Sequence, residues 1–277
     1  MQREDEMGQL SLIVDQVRKD HPGMALRDLY QVIQPATIGR DRFELYFKHK
    51  GYSVGIKRSF RRTTDSTGVV RFPNLIVDKE LTGVNQVWVS DITYYRIKEK
   101  FYYLTFIMDL YSRKIVGHSC SRTLLTTHTT IVALKKAMKN RKLNVIPGLI
   151  IHSDGGGQYY SNDFRRLTKD AKMINSMGKT AYENPHAERV NGIIKNNYIR
   201  HYGPKNFIDL IKMNNKAVQM YNTEKPHRAL NKLSPVQFEN SINEKIKSSK
   251  RTNGLINEKI TFTYNRLINS SKVVSTI

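Results

Sequence analysis

The sequence predicts an α/β fold: a mixed five-stranded sheet flanked by helices, with a small helical module before it and a basic extension after it. Three observations carry that prediction. Strand-like runs at Val87 to Tyr95, Phe101 to Leu110 and Lys114 to Ser119 follow one another across short polar turns, which implies an antiparallel meander. A helix from about Thr127 to Asn140 comes next, with Ile131, Leu134 and Met138 at helical spacing and Lys135, Lys136 and Lys139 on the other face. Leu149-Ile150-Ile151 then gives the continuous apolar run of a buried parallel strand, ending at Asp154 and a glycine triplet.

The remaining elements follow in order. Ahead of the sheet, Leu10 to Val17, Leu26 to Ile33 and Arg40 to Lys48 are short amphipathic stretches separated by turn signals such as His21-Pro22-Gly23. After Asp154 the pattern gives a helix (Ser161 to Lys169), a short strand (Lys172 to Ser176) and a long helix from Pro185 to about Ile199. Proline is tolerated in a first turn, so Glu188 falls in the first or second turn of that helix. Three antiparallel strands, a helix, then strand, helix, strand and helix is the order of the ribonuclease H-like fold. A further helix is predicted over Phe207 to Asn222 and a strand-like stretch at Lys259 to Tyr264. The organisation expected is a helix-turn-helix-like module at 1–56, a basic linker at 57–80, the core with its C-terminal helix at 81–240, and a basic tail at 241–277.

Lys and Arg number 46 against 24 Asp and Glu, a formal net charge of +22 in 277 residues. A polyanion held first through its phosphates is the natural partner. No apolar run reaches the length of a membrane span and no leader is apparent, so a soluble, cytoplasmic protein is expected, nucleoid-associated when on DNA. The single cysteine, Cys120, cannot form an internal disulfide, and no Cys/His spacing matches a zinc site; Cys120 reads as a small buried residue. Arg58, Arg61 and Arg62 in the linker are suited to tracking phosphates.

Against this basic background three carboxylates stand out in order: Asp91, Asp154 and Glu188. Phosphodiester cleavage needs an activated nucleophile and relief of charge on the pentavalent transition state, which two Mg²⁺ ions supply. Such hard ions take carboxylate oxygens as ligands. Asp91 lies within the first strand and Asp154 just past the fourth, and these strands are neighbours in this fold class. Singly, each acid reads as a surface carboxylate or a helix first-turn residue; the three together argue for a site. Glu188, Asn191, Gly192 and Lys195 recur at i, i+3, i+4 and i+7, one face on which a phosphodiester could lie, or simply a solvated polar face. Gly155, Gly156 and Gly157 permit positive φ and close approach, or form an ordinary turn. His152 either helps to position a metal ligand or is a buried, hydrogen-bonded histidine. Asp109 reads as a turn residue, Trp88 with Phe101, Tyr103 and Phe106 as core, and Tyr159 and Tyr160 as packed aromatics or base-stacking ones.

The residues Trp88-Val89-Ser90-Asp91-Ile92-Thr93-Tyr94, His152-Ser153-Asp154 with Gly155, Gly157, Gln158 and Tyr159, and Asn184 with Glu188-Arg189-Val190-Asn191-Gly192 resemble the DDE catalytic core of insertion-sequence transposases. The similarity is closest to the second-reading-frame (OrfB) protein of the insertion-sequence-three family, related to retroviral integrase. Tyr221-Asn222, Pro226-His227-Arg228-Ala229-Leu230, Ser234-Pro235 and His21-Pro22-Gly23 extend the resemblance over most of residues 20 to 240. It implies a polynucleotidyl transferase in which Asp91, Asp154 and Glu188 bind Mg²⁺ or Mn²⁺, two ions in all. Water attacks at an element end, and the freed 3′ hydroxyl then attacks a second phosphodiester without a covalent enzyme intermediate. The partners implied are transposon-end and target DNA, further copies of the chain on DNA, and an upstream-frame (OrfA) fusion partner made by frameshifting. DNA contacts are assigned to Gln158, Tyr159, Arg189, Asn191 and Lys195, with Arg58, Arg61 and Arg62.

Two departures accompany the resemblance. The interval from Asp154 to Glu188 holds 33 residues, two fewer than the family's usual spacing, with the shortening near Gly178 to Tyr182. Pro185 and His186 occupy positions usually held by small or apolar residues. Two other activities stay open on sequence grounds: a nuclease of the same fold that only hydrolyses, and a catalytically decayed remnant that occupies element ends.

Overall fold

The computed structural model describes residues 2–55, 72–178 and 183–251. Arg58, Arg61 and Arg62, residues 179–182 and the strand expected at Lys259 to Tyr264 lie outside the described residues. The chain divides into two compact units, one comprising Met1–Arg61 with Gly192–Asn240, the other Arg62–Asn191 with Ser241–Ile277.

The second unit is built on a five-stranded sheet with strands β1 (Val87–Ile97), β2 (Lys100–Asp109), β3 (Ile115–Ser121), β4 (Ile150–Ser153) and β5 (Ile174–Met177), in the order β3-β2-β1-β4-β5. The first three run antiparallel, with Asp91 opposite Phe106 and Phe106 opposite His118; β4 is parallel to β1 and β5 parallel to β4. This is the ribonuclease H-like arrangement. Its core gathers Trp88, Ile107, Val116, Leu134, Ile151 and Phe164 beneath α4 (Thr130–Arg141) and α5 (Asn162–Asp170). Helix α4 approaches β3 at Gly117, where a Cβ would overlap the Ala133 carbonyl and the Ala137 side chain. At the end of β2, the fully buried Asp109 accepts from the backbone N–H groups of Asn85, Tyr111 and Ser112 and pairs with Arg141, so it is a turn residue.

Of the expected linker, residues 72–80 are described, and Leu81 follows them. Ile76 and Leu81 are buried, and the segment runs beside β5, with Met177 N–H donating to the Pro73 carbonyl and Leu75 N–H to Ser176 Oγ. Burial of the apolar side chains at 76 and 81 accompanies these bonds.

In the first unit, α1 (Gln2–Asp20), α2 (Leu26–Ile33) and α3 (Arg40–His49) enclose Leu10, Val14, Leu29, Phe43 and Phe47. The expected boundaries placed this module apart from everything up to residue 240; instead it shares a unit with residues 192–240. Polar contacts explain the difference. The buried His21 ring bonds through Nδ1 to the Tyr198 hydroxyl (3.1 Å) and through Nε2 to Glu224 (3.0 Å), and Lys225 donates to Asp28 (2.8 Å). Gly23 N–H reaches the Asn197 carbonyl at 2.9 Å, and a Cβ at Gly23 would overlap the Asn197 backbone.

The long helix expected from Pro185 is α-helical only to Ile193 (α6); Ile194–Ile199 is a π-helical stretch, followed by α7 (Arg200–Tyr202). The π stretch coincides with the carbonyl that Gly23 uses, and widened turns free carbonyls in this way. Next come α8 (Phe207–Thr223) and α9 (Pro235–Arg251), so chain expected to be tail beyond residue 240 continues as helix. No helix among the described residues is long and apolar enough to cross a membrane.

Candidate active site

The register of the two central parallel strands sets the site. Val89 pairs with His152, and parallel partners point to the same face. Asp91 and Asp154 each lie two residues further on, so the two carboxylates leave neighbouring strands at the same level. Helix α6 supplies the third. Its buried Ala187 and Val190 face inward, and Glu188, between them, is exposed.

Two buried asparagines fasten α6 to β1. Asn184, immediately before the helix, donates from Nδ2 to the Ser90 carbonyl (2.9 Å), and Asn191 donates from Nδ2 to Asp91 Oδ2 (2.7 Å). Each amide leaves its Oδ1 buried without a hydrogen-bond partner. They sit seven residues apart, so two helical turns bring them to one side. Sequence reading missed Asn184 as a fastener and assigned Asn191 to DNA; the i, i+7 pair of amides around Glu188 was the available signal.

The electrostatics follow first from burial and then from neighbouring negative charge. Burial pushes the Asp154 carboxyl above the ordinary carboxylate range, against the opposing effect of the Gly156 N–H that it accepts at 3.1 Å. Glu188 is pushed up as well, by the shielding of its carboxyl from water and then by the charge of Asp154. Tyr159 lies well above its usual value because it is buried and because Asp154 and Asp91 both bear on it. All three acids therefore act within one electrostatic neighbourhood. No group of three His, Cys, Asp or Glu side chains among the described residues stands in a metal-holding arrangement as it lies. The donor set nevertheless fits a hard divalent cation: carboxylate oxygens, surplus negative charge, and an orphaned amide oxygen on Asn191 for a bound water.

Other sequence-picked residues are distributed differently. Tyr159 is 2% exposed, with its hydroxyl on Ser90 Oγ at 2.9 Å and its ring edge-on to Phe164; it is core, because Ser90 faces the opposite side of the sheet from Asp91. Asn191, 4% exposed, is turned toward Asp91 and away from solvent. Gln158 is half-buried and donates to the Leu124 carbonyl at 3.2 Å, while Arg189 is exposed. Lys195 is half-buried in the π stretch, where the 100° step that placed it on the Glu188 face no longer holds. Gly156 has φ −64°, so the triplet serves there through lack of bulk: a Cβ would come 3.1 Å from Asp154 Oδ1.

Three further histidine and thiol observations complete the picture. His152 is fully buried, bonded at Nδ1 to Ser176 Oγ (2.9 Å) and at Nε2 to the Glu183 carbonyl (3.2 Å), and burial lowers its pKa to about 4. His186 accepts at Nδ1 from Arg113 (2.9 Å); burial, then the charges of Arg113 and Arg189, hold it well below its usual value. The Cys120 thiol is half-buried and pushed up to about 12, which leaves it without thiolate reactivity.

Residues 82–182 match the model of the integrase core domain family, and residues 169–235 match a second integrase core domain model. The InsF transposase of insertion sequence IS3A from Escherichia coli K12 is 33% identical over 163 residues, 57% of this chain and 55% of that protein. The 31 kDa protein of insertion element IS600 from Shigella sonnei is 32% identical over 206 residues, 73% of this chain and 75% of that one. The chain belongs to the insertion-sequence-three family of transposases. As such a transposase it is a DDE-type polynucleotidyl transferase that acts on DNA and depends on a divalent metal. Among solved structures it is similar to the HTLV-2 integrase catalytic core domain in complex with magnesium, at 24% identity and a TM-score of 0.45, over 60% of the transposase chain and 98% of that one.

Proposed function

We propose that Asp91, Asp154 and Glu188 are the catalytic and metal-binding carboxylates of this transposase, and that the metal is a pair of Mg²⁺ or Mn²⁺ ions. The observation that carries the reading is the upward shift of Glu188 and Asp154, with burial first and, for Glu188, the Asp154 charge second, beside an Asp91 already bonded to the helix of Glu188. Bound ions would offset charge on the phosphodiester under attack and acidify the attacking water or 3′ hydroxyl. The chain's own residues do the rest. Asn191 fixes the orientation of Asp91, Asn184 anchors the start of α6, and Gly156 lets its N–H approach Asp154.

Cleavage at the element ends frees a 3′ hydroxyl, and its attack on a target phosphodiester joins the two DNAs. Two ends must be brought together, so further copies of this chain on DNA are part of the proposal. An upstream-frame (OrfA) fusion partner that reads the element ends is part of it too. Arg189, exposed beside Glu188, and the linker arginines Arg58, Arg61 and Arg62 are the DNA contacts retained. Asn191 and Tyr159 pass to the support of the site.

The deciding experiment is strand cleavage and joining on a supercoiled plasmid carrying both element ends, with Mg²⁺ or Mn²⁺, for the chain and its upstream-frame fusion. Wild type should yield joined product, and Asp91→Asn, Asp154→Asn and Glu188→Gln should each abolish it while DNA binding persists. Joined product from any of these variants would remove that residue from the metal set. Cleavage without joining by wild type would instead indicate a hydrolytic nuclease.

A further inference from the structure

We propose that His152 is a positioning residue of the strand-transfer site: its buried ring joins the end of the Asp154 strand to the residue that leads into the Glu188 helix. The inference rests on the assignment of Asp154 and Glu188 above.

For the neutral ring the hydrogen bonds allow a single arrangement. A carbonyl oxygen can only accept, so Nε2 of His152 carries the hydrogen that goes to Glu183. Nδ1 must then accept, and the Ser176 hydroxyl donates to it. The same hydroxyl oxygen accepts the Leu75 N–H at 2.9 Å, which leaves its own hydrogen for His152. Glu183 is held at a second point, where Asn74 Nδ2 donates to Glu183 Oε2 at 2.7 Å. One relay thus runs from the segment beside β5, through Ser176 and the ring, to the main chain at residue 183.

Its position gives the relay a consequence. His152 precedes Asp154 by two residues, and Glu183 precedes Glu188 by five, immediately ahead of Asn184. The two carboxylates are separated along the chain by 33 residues. Across the fold the same interval is spanned by one imidazole. With Asn184 and Asn191 fastening α6 to β1 and His152 fastening its approach to β4, the helix is tied to the strand that carries Asp91 and to the strand that leads into Asp154. Hydrogen bonds made directly to a metal ligand are typically worth about 10- to 100-fold in affinity; His152 acts one step further out, through the main chain at Glu183, so the lower end of that range is expected.

The test uses the full chain, as the upstream-frame fusion where that is the active form, with His152→Phe, His152→Gln and Ser176→Ala variants. Mn²⁺ binding is measured by calorimetry without DNA, and the Mn²⁺ midpoint of strand joining separately. Phe keeps the ring volume without the hydrogen bonds and should raise both midpoints about tenfold or more, with DNA affinity unchanged. Gln keeps an N–H donor and should recover part of the loss; Ser176→Ala, which removes the relay from outside the ring, should shift the midpoints in the same direction. Wild-type midpoints in a folded His152→Phe protein, or in Ser176→Ala should His152→Phe not fold, would overturn the inference. Asp154→Asn separates the two readings: if it joins DNA, the ligand assignment fails, whereas if it is inert while His152→Phe behaves as wild type, only the positioning role fails.

Discussion

Asn191 donates its side-chain amide to Asp91 at 2.7 Å, three residues after the glutamate that completes the carboxylate set. The bond fixes one oxygen of Asp91 and brings α6 down on β1, so Asn191→Ala should separate metal affinity from DNA affinity. Strand transfer at limiting Mg²⁺ is expected to fall about 10- to 100-fold, as for other residues that hold a metal ligand. DNA binding should be unchanged, because the side chain is buried. A filter-binding or anisotropy measurement beside a joining assay checks both halves. An equal loss in both assays would place Asn191 on the DNA after all.

Burial of two carboxyls, reinforced at Glu188 by the Asp154 charge, predicts how metal, pH and stability are linked. Asp154 and Glu188 have folded-state values above the unfolded ones. Carboxyls so shifted contribute stability below their unfolded pKa and lose that contribution as pH rises through the folded one. Metal-free protein should therefore be penalised at neutral and higher pH, and Mg²⁺, on the proposal that the ionised pair holds it, should stabilise it more at pH ~8 than at pH ~5. Thermal melts with and without Mg²⁺ at the two pH values measure this. In Asp154→Asn the pH dependence of the Mg²⁺ effect should largely vanish.

His152 gives the opposite sign. Its folded pKa of about 4 lies below the unfolded value of 6.5, so the unfolded chain takes up a proton first as pH falls. The stabilisation is complete above pH 6.5 and is lost as pH falls to about 4, a loss of roughly 3 kcal/mol at 1.36 kcal/mol per unit. Denaturant unfolding of wild type and His152→Gln across that window isolates the effect, since the other titrating groups are common to both. Parallel pH profiles for the two proteins would count against a buried neutral ring.

The sheet was legible because its strands are long and apolar and its turns polar: Val87 to Tyr95 and Phe101 to Leu110 were placed to within two residues of β1 and β2. Asp91, Asp154 and Glu188 were picked out by residue type and order, and the register of β1 and β4 puts the two aspartates at one level. What the sequence hid were interactions between distant positions. Nothing local in His21-Pro22-Gly23 announces Asn197, Tyr198 and Glu224 as its partners, so the N-terminal module read as an independent domain. The π stretch is hidden for a related reason, because Ile194–Ile199 has the apolar spacing of an α-helix and departs from it beside a carbonyl used by another segment. Tyr159 and Asn191 were misread toward DNA because a polar atom on a large side chain suits either solvent or a buried partner. Only the sheet face decides between them.

The contact between Gly23 and Asn197 yields the most local prediction. A methyl group at residue 23 would meet the Asn197 backbone, which cannot rotate aside as a side chain could. Overpacking of this kind typically costs about 1–3 kcal/mol. The Gly23 N–H also loses its geometry toward the Asn197 carbonyl, and both groups turn to water. Gly23→Ala should therefore lower the stability of the unit that contains both residues and raise hydrogen exchange at residue 23 and across 194–199. Pairing it with His21→Gln, which preserves a donor toward Glu224 without touching the backbone contact, separates the two causes: exchange at 194–199 should rise far more in the glycine variant. Equal exchange in wild type and Gly23→Ala would show that the π stretch is intrinsic to the helix and owes nothing to the segment packed against it.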